Sequence, residues 1–143
     1  MKRFLTAVLS VVLFTTLFAW VSYTPSAQRE PNVYYFGFLE TSFFIVMYAG
    51  PVYFLVGIPF SIFIDELIKK TKRKSKWARY FVGLGLYSSV GALVGFIFPV
   101  LLVESIDLWG IIPYSICGFI ASNFYYHLSL LISKINDRYL FFR

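Results

Sequence analysis

The chain has 143 residues, the length of one domain, yet 59% of them are hydrophobic and the mean hydropathy is +0.72, more apolar than a soluble core of that size requires. The 14% that are charged are bunched between long uncharged stretches, which argues against a water-soluble domain. Thirteen lysines and arginines against seven acids give a formal charge of +6, and the lone Cys117 rules out an internal disulfide, a CxxC redox pair or a thiolate metal cluster. Cys117 itself reads as a small core residue.

The first apolar run, Phe4 to Tyr23, holds no charge. At a helical rise its twenty residues cover roughly 30 Å, the thickness of a bilayer's hydrocarbon. Lys2 and Arg3 before it and Ala27 after it would also suit a cleaved signal peptide. The run is too long for a signal core, and Pro25 spoils the small-x-small pattern, so a retained span is expected. Pro25 and Pro31 then keep the following loop, to about Gly37, from continuing as helix.

The second run, Phe38 to Ile64, carries one charge, Glu40, near its start. Gly50-Pro51 and Gly57-Ile58-Pro59 lie inside it, and each proline removes an amide donor, so a bent or locally unwound helix is expected. A pair of half-helices broken near Gly50-Pro51 is the alternative. Asp65 and Glu66 mark the exit into a loop bearing Lys69, Lys70, Lys72, Arg73, Lys74, Lys76 and Arg79. The third run, Tyr80 to Val103, and the fourth, Ile111 to Ser133, are separated by only seven residues, which forces two antiparallel neighbours. Aromatic residues gather near the ends of the runs, among them Tyr34, Tyr35, Phe36, Trp77, Tyr80 and Phe81, as amphipathic rings do at a headgroup zone.

Positive flanks are retained in the cytoplasm, and all the cations except Arg29 fall on one side of this layout. The expectation is therefore an all-α, polytopic integral membrane protein with both termini inside. It is one membrane domain over 1–143, a four-helix bundle with spans at about 4–23, 38–64, 80–103 and 111–133 and a cytoplasmic basic loop at 65–79.

Three sets of residues are candidates for function. The basic loop lies beside a leaflet that is usually anionic, so Lys69, Lys70, Lys72, Arg73, Lys74, Lys76 and Arg79 are expected to anchor topology and touch anionic lipid headgroups. The loop is too short to read nucleic acid. Gly91 and Gly95 form a GxxxG, Gly85 and Ser89 repeat that spacing, and Gly118 and Ser122 offer a similar face on the fourth helix. Small residues let helices approach closely in lipid, and these faces are expected to meet inside one chain rather than in a homodimer.

The third set is the polar residues inside the runs, Glu40, Asn123 and His127. Intramembrane ionisable groups are costly and are functional candidates by default. Glu40 lies so close to its helix start that complementing the helix dipole is expected ahead of a proton- or cation-coupled site. His127 has no second histidine or carboxylate nearby in sequence, so a bond to backbone or tyrosine is expected ahead of metal. No phosphate loop, GxSxG, HExxH or carboxylate pair occurs, so neither catalysis nor a cofactor is expected.

Four short spans, the basic run from Lys69 to Arg79 and Gly50-Pro51 in the second span resemble the small, uncharacterised multi-pass membrane proteins of Bacillus-type bacteria. That resemblance implies a bacterial plasma membrane and no particular activity. The small multidrug transporters are a poorer match, because their essential glutamate lies in the first span and Phe4 to Tyr23 has no acid. Two functions follow as expectations: a non-enzymatic protein that packs against membrane partners, or a subunit of an oligomeric small transporter or channel using Glu40.

Overall fold

The computed structural model describes residues 2–70, 75–102 and 108–140. It is all-α, with four helices long and apolar enough to cross a membrane. Helix α1 is Lys2–Val21. A single 3-10 turn, Ser26–Gln28, follows in the connecting loop, where Asn32 takes a left-handed φ of 66° that its short polar side chain tolerates. Helices α2 (Phe38–Val52) and α3 (Ile58–Lys70) are joined without interruption by a π-helical segment, Tyr53–Gly57, into one 33-residue span. Helix α4 is Lys76–Leu102 and α5 is Leu108–Leu140. The helices overrun the apolar stretches: α4 starts before Tyr80 and α5 continues past Ser133, because helical hydrogen bonding does not stop where hydrocarbon would.

The π-helical segment lies between two prolines. The Ile58 N–H reaches back five residues to the Tyr53 carbonyl rather than four. Pro59, next in line, has no N–H to donate, so the wide turn ends there. The helix thus absorbs Pro51 and Pro59 by winding more loosely for one turn. No break into half-helices occurs.

The four spans close into a ring. Helix α1 packs on α2, the π segment and α3 on one side and on α5 on the other; α4 lies along α5, and its second neighbour is α3. The buried face of α1 is small, with Thr6, Ala7, Ser10, Val11, Thr15 and Ala19, which lets both neighbours come close. At the basic-loop end, Arg3 and Asp65 form an ion pair at 2.9 Å that ties the start of α1 to α3. Both side chains are more than a third exposed, so the pair fixes register more than it adds stability.

The closest approach is between α4 and α5. A Cβ built on Gly91 would collide with the Ser122 side chain and the Gly118 carbonyl, one on Gly95 with the Tyr114 carbonyl, and one on Gly118 with the Gly91 carbonyl. These backbones therefore touch, and nothing larger than glycine fits between them. Gly85 has open space where its Cβ would be, and Ser89 is exposed, so that pair lies on the outward face of α4 and takes no part in the seam.

Large apolar side chains cover the outside of the ring, including Leu39 at 81% exposed, Leu101 at 77% and Trp109 at 84%. In water such a surface would be an aggregation hazard; against lipid chains it is in its matching solvent.

The seam separates two glycines of the same helix by experiment. Gly91→Leu is expected to destabilise the monomer by about 1–3 kcal/mol through overpacking, whereas Gly85→Leu is expected to range from neutral to about 1 kcal/mol stabilising. Thermal unfolding of the purified variants in detergent checks both.

Candidate functional site

The buried centre of the ring, toward the basic-loop end, is a run of tyrosines. Tyr53 of the π segment stacks on Tyr125 with ring centroids 6.3 Å apart, Tyr125 lies 6.1 Å from Tyr87, and Tyr87 lies 5.0 Å from Tyr126. All four are at most 6% exposed. Tyr80 continues the run 5.8 Å beyond Tyr126, at the bundle's side. Aromatic pairs of this kind add about 0.5–1.5 kcal/mol each beyond their buried area.

Helical spacing places them. Tyr80, Gly83 and Tyr87 fall three and four residues apart on one face of α4, and consecutive Tyr125 and Tyr126 on α5 reach toward α3 and α4 respectively. Gly83 is the seat of the Tyr126 ring: a Cβ there would lie 2.5 Å from the Tyr126 hydroxyl.

Buried hydroxyls need partners, and those of Tyr53, Tyr125 and Tyr126 find them on other helices, whereas the buried Ser10 and Thr15 hydroxyls of α1 have none. Tyr53 donates to the Ala121 carbonyl at 2.9 Å and Tyr126 to the Tyr80 carbonyl at 2.9 Å. Tyr125 donates to the Ser61 hydroxyl at 3.3 Å, and Ser61 donates in turn to the Ile58 carbonyl at 2.8 Å. Those chains end on main-chain carbonyls, which accept a proton's hydrogen bond but cannot pass the proton on. These bonds tie α5 to the long second span and to α4.

Asn123 and His127 come together on one side of α5. Ser88 donates to Asn123 Oδ1 at 3.2 Å, and Asn123 Nδ2 donates to the Phe119 carbonyl at 2.7 Å. His127 Nδ1 lies 2.9 Å from the Asn123 carbonyl and Nε2 lies 3.1 Å from the Tyr80 hydroxyl. A carbonyl only accepts, so Nδ1 carries the proton, and a neutral His127 takes the Tyr80 O–H at Nε2. Among the described residues no group of three or more metal-capable side chains occurs.

Glu40 is at the opposite end, in the first turn of α2. Its Oε2 accepts the Gly37 N–H at 2.9 Å, closing an orphan donor at the helix start. The Tyr34 hydroxyl sits 3.0 Å from both carboxylate oxygens. Every one of these partners is local to the loop leading into α2, and Glu40 does not meet Asn123 or His127.

Of the basic set, Lys69 and Lys70 end α3 and Lys76 and Arg79 begin α4; the three lysines are exposed. Lys72, Arg73 and Lys74 lie outside the described residues. Gly50 and Pro51 end α2, and Gly57 and Pro59 flank the end of the π turn.

Between the π segment and the α4–α5 seam is an apolar crevice of about 90 Å³. Val52, Val56 and Phe60 line one wall, Val90 and Val94 the other, and Ile64, Tyr87 and Tyr125 close its inner end.

Two features are not fully legible in the sequence. The Arg3–Asp65 pair joins residues 62 apart, which no local pattern reveals. The tyrosine run was visible in part as the Tyr80, Gly83, Tyr87 periodicity, but aromatic residues in an apolar run read equally well as an interfacial belt.

Comparison of the chain with protein families, with curated proteins and with solved structures found no match.

Glu40 holds the Tyr34 hydroxyl above the ordinary tyrosine value, first through the hydrogen bond and then through its charge. A raised value means the bond's contribution is intact below about pH 10 and is lost as pH rises through the Tyr34 value in the folded protein. Glu40→Gln is expected to return that titration toward the ordinary value, read as an ultraviolet difference titration against Tyr34→Phe.

Tyr125→Phe is expected to cost about 0.5–1.5 kcal/mol of stability by removing the hydrogen bond to Ser61 while keeping the stacked ring. Thermal unfolding in detergent measures it; an unchanged midpoint would show that the hydroxyl does not tie α5 to α3.

Proposed function

We propose that this chain is a four-span integral protein of a bacterial plasma membrane, with both termini and the basic loop in the cytoplasm, that acts without catalysis by packing against membrane partners. The observation that carries the reading is where polarity goes. Hydrogen-bonded tyrosines and serine are turned inward, apolar side chains cover the outside, and all the cations but Arg29 belong to one end of the layout.

The internal seam uses Gly91, Gly95, Gly118 and Ser122, which leaves the outward pair Gly85 and Ser89 as the small-residue face that a partner's helix would meet. The alternative, an oligomeric transporter or channel coupled through Glu40, draws less support. The carboxylate is engaged by Gly37 and Tyr34 at one end, and the crevice described above is apolar.

Arg29 fits an outer loop: its guanidinium lies 5.8 Å from both the Tyr23 and Tyr35 ring centres, and its Nε donates to the Thr24 carbonyl at 3.0 Å.

Reporter fusions after Arg29, Lys74 and Arg143 test the orientation. Activity outside only for the Arg29 fusion is expected, and an externally active Lys74 fusion would sink it. For the packing role, affinity purification from native membranes is expected to recover a membrane partner that Gly85→Leu releases and Glu40→Gln does not.

A further inference from the structure

We propose that the π-helical turn Tyr53–Gly57 is a hinge, about which α2 swings as an arm toward and away from α4 while α3 stays fixed. The hinge follows from contacts within the chain and is independent of the orientation proposed above.

The two halves of the long second span are held very differently. Helix α3 buries Ser61 and Ile64, receives the Tyr125 hydroxyl at Ser61, pairs Asp65 with Arg3 and packs on both α4 and α1. In α2 the only buried residue is Gly50, at the end next to the π turn. From Phe38 to Ala49 no residue is buried, and Thr41, Ser42, Ile45 and Ala49 are half-buried. Among the described residues, the substantial packing of α2 on another span is on α1 alone. The contact that closes the ring between α3 and α4 has no counterpart of similar extent between α2 and α4. A segment with so few buried contacts moves at low local cost.

The change from firm to loose packing falls at the π turn. Pro51 just before it and Pro59 just after it supply no amide donor, and helices bend at prolines and at π turns. Tyr53, the first residue of the turn, is fixed: it is buried, its ring stacks on Tyr125, and its hydroxyl donates to the Ala121 carbonyl at 2.9 Å. The base of the arm is therefore pinned to α5, whereas the arm beyond it rests on one neighbour. A swing of about 20° moves Phe43, ten residues or about 15 Å from Tyr53, through about 5 Å.

Nitroxide labels on paired cysteines of the full chain, in a Cys117→Ser background and in lipid nanodiscs, measure that movement by electron–electron double resonance. Phe43→Cys with Ile97→Cys spans α2 and α4, and Phe63→Cys with Phe81→Cys spans α3 and α4; all four positions are exposed. The α2–α4 distance distribution is expected to be at least about twofold broader than the α3–α4 one. Pro51→Ala together with Pro59→Ala restores two amide donors. That variant is expected to narrow the α2–α4 distribution to about the α3–α4 width and to leave the α3–α4 pair unchanged. Tyr53→Phe keeps the ring but removes the pin, and is expected to broaden the α2–α4 distribution further without widening the other.

Equal widths for the two pairs would overturn the proposal, because α2 would then be held as firmly as α3. A broad α2–α4 distribution that survives both proline replacements would place the movement outside the π turn and overturn the hinge. An α3–α4 distribution that widens along with the other in Tyr53→Phe would show a bundle loosening as a whole, with no pivot at Tyr53.

Discussion

The contact between the backbones of α4 and α5 at Gly91, Gly95 and Gly118 sets the geometry of the rest of the bundle. The outer surface of the bundle is apolar, and in a lipid setting no hydrophobic drive would associate the helices, so close packing and hydrogen bonds would have to supply it. With the two backbones touching, the pair behaves as one ribbed surface. Tyr126 can then lie over Gly83, Tyr87 can stack beside Tyr125, and Ser88 can reach Asn123. A side chain at any of the three glycines would push the helices apart and lengthen each of those contacts at once.

The long second span meets that surface through its π turn. One loosely wound turn accommodates Pro51 and Pro59 without a break and presents Tyr53 to α5, where its hydroxyl finds the Ala121 carbonyl. Farther along, Ser61 takes the Tyr125 hydroxyl, and Arg3 secures α1 to Asp65. The same local widening leaves the apolar crevice between the long span and the seam. Toward the basic-loop end tyrosines join three helices, while α2 at the other end is held chiefly by α1.

That distribution bears on function. The buried tyrosine hydroxyls of the bundle end on Ser61 or on backbone carbonyls of neighbouring helices, while its outer surface is apolar. Glu40, the one acid within the apolar part of the second run, is occupied in starting its own helix. The outward Gly85 and Ser89 and the lysines at the α3–α4 corner are left facing the surroundings.

By itself the sequence determined the number of long apolar stretches and roughly where they fall, because these depend only on composition along the line of the chain. It also showed Glu40 beside a helix start and prolines inside the second span, since helix ends and proline chemistry are local. Which glycines form the seam was decided by tertiary structure: Gly85, Ser89, Gly91 and Gly95 share the same four-residue spacing, and only the rotation of α4 against α5 turns one pair inward and the other out. The same holds for Arg3 with Asp65 and for Tyr53 with Ala121. Partners 62 and 68 residues apart are chosen by how the helices pack, and no period within one helix encodes that choice.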